Sequence, residues 1–213
     1  LNALCWGQLR GTGTWEAAAM QFYGKAETYV YDLLSVNYSM QAVVEKLGRF
    51  HPMLVSQIVD HPGKSLLEFG GGVGVFCELA DGWGKQVTYL DLPGLVLDFA
   101  SWRFQKYHLP IDVVQSCPKE LRLTRGFDII FTDAVFEHLI DPEQVLAELL
   151  AHLNPGGLLV LLIDLGNDPA RPMHRPIDIR SLHGQIRASG CWNLFGDGTF
   201  CSAWCSPGRD IVP

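Results

Sequence analysis

The sequence predicts an α/β fold in which helices wrap both faces of a mostly parallel sheet. Two observations carry that prediction. From Lys64 onward, short aliphatic runs alternate with longer amphipathic stretches, the rhythm of strand and crossover helix. Between the first such run and the stretch after it lies a glycine-rich turn, Gly70 to Gly74, the connection a strand needs to enter a helix sharply. A third observation sets the scale: 213 residues, 48% hydrophobic and 18% charged, make one domain with a core that needs no disulfide or metal to hold it.

The strands are predicted at 65–69, 86–91, 111–114, 127–132 and 158–163. Val, Leu, Ile and Phe run through them with little polar interruption, so they are expected to be buried on both faces. Between the last two, Asp141 can cap a helix, Pro142 suits its first position and Glu143 favours the positive end of its dipole. Val145, Leu146, Leu149, Leu150 and Leu153 then recur on one helical face, and Asn154-Pro155-Gly156-Gly157 is expected to stop the helix and turn into the next strand. A further helix over 177–188 and two apolar runs, 191–195 and 200–204, separated by Gly196-Asp197-Gly198, suggest a closing hairpin. The first 60 residues are different: rich in aromatics, with helical patterns over 15–34 and 39–59, they are expected to form a helical cover within the same domain, and 61–213 the sheet core.

Sixteen Lys and Arg against 23 Asp and Glu give a net charge of -7, which does not favour attraction to phosphate backbones, so a DNA partner is not expected. The longest aliphatic run, Leu158 to Ile163, is six residues, against the ~20 of a membrane-spanning helix. The six cysteines make no C-x-x-C pair, so neither a zinc site nor a thioredoxin-type motif is signalled, and a reducing, cytoplasmic compartment is the simplest fit. The chain opens at Leu1 with no charged segment ahead of an apolar one, and a signal peptide is not expected.

The chemistry concentrates in Glu68-Phe69-Gly70-Gly71-Gly72-Val73-Gly74. Glycines there let a ligand approach amides that a Cβ would block, and the following helix offers free N–H donors. A dinucleotide fingerprint would place its third glycine at Val75, and the glycine stands at Gly74 instead, which disfavours a nicotinamide cofactor and an oxidoreductase. Glu68 can face an ammonium group, and Asp91, 21 residues beyond Gly70 at the tip of the second strand, can accept both hydroxyls of an adenosine ribose.

With these residues the chain resembles the class I S-adenosylmethionine-dependent methyltransferases, in particular the small-molecule group related to ubiquinone and menaquinone biosynthesis. The resemblance runs from Ser65 to about Asp164 and rests on the glycine loop, Asp91, Gly126 to Ile130, Phe136-Glu137-His138 and Leu153 to Gly157. It implies a Rossmann-like, seven-stranded sheet of order 3-2-1-4-5-7-6 with the seventh strand antiparallel. It also implies S-adenosylmethionine as cofactor, S-adenosylhomocysteine as product, and methyl transfer to an O, N or C atom of a small molecule; RNA or protein acceptors are disfavoured. Glu68, Gly70 and Gly72 would line the methionine end, Asp91 and Leu92 would hold the ribose and flank the adenine, and Tyr31 of Tyr31-Asp32 would reach the cofactor carboxylate; Gly71, Gly74, Cys117 and Asp133 complete the expected cofactor-binding set. Many relatives carry an Asp where Cys117 stands; a thiol is a weak acceptor, so adenine recognition there would rely on backbone groups.

Methyl transfer from a sulfonium demands mainly alignment, and a base only when the acceptor must lose a proton. Asp133, His138 and His174 are the candidates near the reacting atoms. Each has a plain structural alternative: Asp133 capping the turn after it, His138 satisfying nearby backbone beside Glu137, His174 solvated in its proline-rich loop. The aromatics Tyr23, Tyr29, Tyr31 and Tyr38 read mainly as core, with Tyr31 the exception. No metal is expected, because Ala134 breaks the Glu-x-x-Glu-His spacing of metal-dependent relatives. A catalytically inactive cofactor-binding scaffold of the same fold remains the alternative of another class.

Overall fold

In the computed structural model the described residues are 2–11, 13–117, 120–164, 171 and 173–208. The sheet forms because its strands are predominantly apolar. β1 (Ser65–Phe69), β2 (Gln86–Asp91), β3 (Asp112–Gln115), β4 (Phe127–Asp133), β5 (Leu153–Leu162), β6 (Trp192–Phe195) and β7 (Cys201–Cys205) stand in the order β3-β2-β1-β4-β5-β7-β6. All neighbours pair in parallel up to β5, while β7 runs antiparallel to both β5 and β6. This is the predicted Rossmann-like methyltransferase architecture.

Helices bury each face. On one side, α6 (Val75–Gly82) and α7 (Leu95–Lys106) set Phe76, Leu79, Ala100 and Phe104 against Tyr89, Ile129 and Phe131. On the other, α8 (Pro142–Ala151) and α9 (Ile179–Ala188) set Leu146, Leu149, Leu182 and Ile186 against Leu67, Ile130 and Leu159. α8 starts as the sequence requires, with the Asp141 carboxylate accepting from the Gln144 amide at 2.9 Å. Five helices precede the sheet among the described residues: α1 (Asn2–Arg10), α2 (Trp15–Lys25), α3 (Glu27–Val36), α4 (Met40–Phe50) and α5 (Leu54–Val59). Trp6, Ala18, Ala19 and Phe22 build a small core of their own, closed by Met173 from the loop beyond β5. The N-terminal segment therefore grips the loop that carries His174.

The structure changes four local expectations. β3 is an edge strand whose residues are largely exposed, because only β2 flanks it. The helical pattern over 15–34 is broken at Ala26, whose extended backbone ends α2 and begins α3, and that over 39–59 is broken after Phe50. Helix α1 precedes the predicted start of helical structure. Asn154-Pro155-Gly156-Gly157 is not a free turn: α8 ends at Ala151, Leu153 already pairs with Phe127, and the four residues form an irregularity inside β5. Proline gives no ladder donor and Gly156 has φ 75, so the strand bulges here without ending.

Ser202, His183 and Asp197 also meet, with His183 Nε2 3.1 Å from Ser202 Oγ and Nδ1 3.3 Å from Asp197 Oδ1. Ser202 is fully buried, takes a hydrogen bond from Trp204 Nε1, and none of the three residues lines the cleft described below. They tie the terminal hairpin to α9.

Candidate active site

A cleft of about 1130 Å³ opens over the C-terminal ends of β1, β2, β4 and β5, the edge where open α/β sheets receive ligands. Its floor is the loop after β1. Gly70 has φ 70, and a Cβ there would lie 2.5 Å from Cγ2 of Val135; the left-handed backbone and the close neighbour both require glycine. Gly71 and Gly72 continue the floor. Gly74 does not line the cleft: with φ 77 it precedes α6 and packs toward Phe104, so its part is to start the helix and not to touch a ligand.

Asp91 stands at the tip of β2. Its Oδ1 accepts from the Leu92 amide at 2.7 Å; its Oδ2 accepts from the Gly72 amide at 3.2 Å and from the Tyr89 hydroxyl at 3.1 Å. Burial pushes its pKa up to about 6, against the lowering effect of those three donors. The carboxylate is thus fixed, desolvated and directed into the cleft beside Leu92, Ser116 and Cys117. The Cys117 backbone is engaged with Glu120, its amide donating to Glu120 O at 2.9 Å and its carbonyl accepting from Glu120 N at 3.1 Å.

Glu68 lies beneath the glycine loop, buried, with Cys77 Sγ donating to its Oε2 at 2.7 Å. Burial is the main cause that raises its pKa, to about 8, with Asp133 and Asp91 adding to the rise. Such a carboxylate holds its proton until a cation comes near.

Across the floor, Asp133 ends β4 and its Oδ2 receives Lys46 Nζ of α4 at 2.5 Å, so the cover is salt-bridged to the sheet edge. His138 sits in a 3₁₀ turn (Phe136–His138), its Nδ1 hydrogen-bonded to the Tyr23 hydroxyl of α2 at 2.6 Å. Burial, then the neighbouring His174 and Arg171, lower the His138 pKa to about 3, so the ring is neutral near pH 7. The His174 ring stands 4.6 Å from it, edge to face. Asp164, paired with Arg171 at 2.6 Å, lies 3.6 Å from His174 Nδ1. Glu137 is buried, and its Oε1 accepts the Asp164 amide at 3.3 Å. Pro172 of the predicted proline-rich loop lies outside the described residues.

The structure thus brings together Glu68, Gly70, Gly71, Gly72, Asp91, Leu92, Cys117, Asp133, His138 and His174. Tyr31 is a correction. It is 70% exposed on the far side of α3, and the cleft is lined by Tyr29 and Asp32 of that helix together with Tyr23 of α2. Tyr23 and Tyr29 pack on Phe22 as core aromatics do, yet they also face the cleft, a double duty that helical periodicity does not reveal. Sequence reasoning also missed Lys46, Asp164, Arg171, Phe50 and Phe200, which line the cleft from elements far apart in the chain.

Residues 38–204 match a family described as methyltransferase domain. Over 100 residues the chain is 34% identical to malonyl-[acyl-carrier protein] O-methyltransferase of Serratia marcescens, covering 47% of this chain and 38% of that protein. Over 99 residues it is 31% identical to a ubiquinone biosynthesis O-methyltransferase of Rhodopseudomonas palustris (strain HaA2), covering 46% and 39%. The match therefore spans less than half the length of these relatives. Among solved structures, phospholethanolamine N-methyltransferase 2 of Haemonchus contortus, in complex with phosphomonomethylethanolamine and S-adenosylhomocysteine, aligns with a TM-score of 0.63 and 17% identity over 86% of this chain and 47% of its own. At that identity the likeness is one of fold. No helix among the described residues is long and apolar enough to cross a membrane. With its strand order, its glycine loop and a family match across most of its length, the chain belongs to the methyltransferase domain family, in its class I, S-adenosylmethionine-dependent form.

Proposed function

We propose that this protein transfers the methyl group of S-adenosylmethionine to a small molecule, by in-line displacement at the sulfonium carbon. The observation that carries this reading is the carboxylate of Asp91, held by the Gly72 and Leu92 amides at the rim of a cleft whose other half is lined by His138 and His174. Asp91 has the chemistry to accept the two ribose hydroxyls. The loop Gly70–Gly72 over Glu68 would take the methionine end, and the surroundings of Cys117 the adenine. That disposition leaves the sulfonium between the loop and Asp133, with the acceptor against His138, His174, Tyr23 and the apolar Phe50, Val36 and Phe200.

The volume suits a cofactor and a modest acceptor together, being somewhat above the roughly 300–1,000 Å³ of ordinary ligand pockets. Helices α2, α3 and α4 would exclude water from the reacting atoms, and we read residues 1–60 as the acceptor-selecting cover of a core formed by 61–213. The Serratia and Rhodopseudomonas relatives are named as O-methyltransferases. An acceptor hydroxyl is therefore our first choice, and two imidazoles at the acceptor end suit it better than they would an already nucleophilic amine.

Calorimetric titration with S-adenosylmethionine and S-adenosylhomocysteine tests the reading. Binding of both in a one-to-one ratio supports it; absence of both affinities overturns it. Turnover of labelled cofactor against a panel of hydroxylated metabolites then separates an enzyme from a cofactor-binding scaffold.

A further inference from the structure

Among the charged side chains that line the cleft, Arg49 is set apart. Lys46 Nζ meets Asp133 Oδ2 at 2.5 Å and Arg171 Nη1 meets Asp164 Oδ2 at 2.6 Å, so the other Lys and Arg side chains of the cleft are each committed to a carboxylate. Arg49 makes no hydrogen bond or ion pair among the described residues.

Its place follows from the course of α4. Val43, Lys46 and Phe50 recur on one helical face and all line the cleft, with Arg49 beside them. Lys46 lies over Asp133 at the end of β4, and one turn later Phe50 packs edge to face on Phe200, which leads into β7, with ring centroids 5.9 Å apart. His51 then stacks on Phe195 of β6 at 3.8 Å. The helix therefore crosses the sheet edge from β4 toward β7 and β6, and Arg49 stands beyond Asp133, on the side away from β1 and its glycine loop. The wall around it is apolar and uncovered: Val36, Phe50 and Phe200 keep 54%, 36% and 45% of their exposure.

We propose that Arg49 holds a carboxylate of the acceptor, which makes the methyl-accepting molecule an amphipathic hydroxy acid. This rests on the methyl-transfer reading. With the cofactor over Gly70–Gly72 and the acceptor hydroxyl against His138 and His174, the apolar body would lie along Phe50, Phe200 and Val36 and end on Arg49. A guanidinium is planar and permanently charged, and its paired N–H donors match the two oxygens of a carboxylate. An uncharged tail would cover Arg49 without meeting its charge, a desolvation cost that a carboxylate offsets. A phosphate dianion fits less well. It would bring two charges to one cation, in a wall where Lys46 and Arg171 already balance Asp133 and Asp164. The cofactor's own carboxylate is the other anion at hand, and the place of Arg49 beyond Asp133 removes it from the methionine end.

The test is calorimetry of the full chain with hydroxyphenylacetate, hydroxyphenylpropanoate, hydroxyoctanoate and hydroxydecanoate, each beside its primary amide, phosphonate and amine counterparts, with and without saturating S-adenosylhomocysteine. At least one carboxylate should bind roughly fivefold or more tightly than its amide, the upper effect of an exposed charge pair, and the preference should shrink as salt is raised. Arg49→Gln should abolish that preference, Arg49→Lys should keep part of it, and Arg49→Glu should turn it toward the amine. A thermal melt confirms that each variant is folded. The inference is overturned by a wild type that prefers no carboxylate over its amide, by a preference retained in folded Arg49→Gln, or by a phosphonate that outbinds its carboxylate. It is also overturned if Arg49→Gln weakens S-adenosylhomocysteine as much as it weakens the carboxylate, which would give Arg49 to the cofactor. Binding of S-adenosylhomocysteine with no carboxylate preference rejects the hydroxy acid and keeps the methyl-transfer reading; a preference lost in Arg49→Gln, without any cofactor binding, does the reverse.

Discussion

The hydroxyl of Tyr23 lies 2.6 Å from Nδ1 of His138 across 115 positions of sequence, and joins the first part of the helical cover to the turn after β4. This contact sets the rotation of the His138 ring at the wall of the cleft, whichever group carries the shared proton. Tyr23→Phe keeps the ring packing on Phe22 and Tyr29 and removes only this bond. Stability should fall by about 0.5–1.5 kcal/mol. Turnover should fall about tenfold or more with cofactor affinity nearly unchanged, a split between kcat and cofactor Kd that a purely structural tyrosine would not produce. Steady-state kinetics beside calorimetry reads it.

Asp91→Ala should weaken binding of S-adenosylmethionine and S-adenosylhomocysteine alike by about 1–3 kcal/mol, since both carry the ribose and lose the same charge-assisted hydrogen bonds. An unchanged affinity would show that the ribose does not lie at the tip of β2.

The same residue sets a pH dependence. Its folded pKa is raised, to about 6 from 3.8, by burial. For the empty protein the sign is that of a raised carboxylate: the stability this group contributes is full below pH 3.8 and is lost as pH rises through about 6. For cofactor binding the sign reverses, because only the ionised carboxylate can accept both hydroxyls. The apparent Kd should therefore rise by up to about tenfold per unit as pH falls below 6, and Asp91→Asn should flatten that slope. Calorimetry from pH 5 to pH 8 brackets the transition about pH 6.

Much of this arrangement was legible in the chain. β1, β2 and the terminal hairpin are apolar runs bounded by glycine or acidic residues, and tertiary packing had no reason to override them. The start of β5 was not legible, because Asn154 to Gly157 has the composition of a turn and only pairing with β4 and Ser206 draws it into the sheet. The choice between Tyr29 and Tyr31 failed for a rotational reason. Two residues are about 200° apart on a helix, and which side meets the cleft is fixed by how α3 packs on α7, a contact the local pattern does not encode. The meeting of His138 with His174 depends on Met173 being held by the N-terminal core, and so on residues more than a hundred positions earlier.

Gly70→Ala tests the floor of the cleft. The backbone stands at φ 70, and the new Cβ would lie 2.5 Å from Val135. A left-handed conformation costs an ordinary residue about 1–2 kcal/mol and overpacking about 1–3 more. The urea midpoint should fall accordingly, and cofactor affinity should fall with it because the loop must move. Gly82→Ala, in an α-helix with open space around it, is the control and should not lose stability.

The Lys46–Asp133 pair tests whether the cover is energetically joined to the site. Their side chains retain 23% and 20% of their exposure, so the pair is screened less than a surface bridge and should be worth more than the ~0.5 kcal/mol typical of one. Removing Lys46 alone leaves a partly desolvated carboxylate in the cleft; replacing both partners removes that penalty. Lys46→Met and Asp133→Asn should each destabilise the chain, and the double variant should lose less than their sum, with a coupling of about 0.5–3 kcal/mol from urea unfolding. The pair also stands where we place the sulfonium. Lys46→Met should therefore strengthen binding of S-adenosylmethionine relative to S-adenosylhomocysteine, because Asp133 then faces the positive sulfur without a competing cation. Additivity within about 0.3 kcal/mol, with an unchanged ratio of the two affinities, would show that α4 only rests against the sheet and takes no part in holding the reacting group.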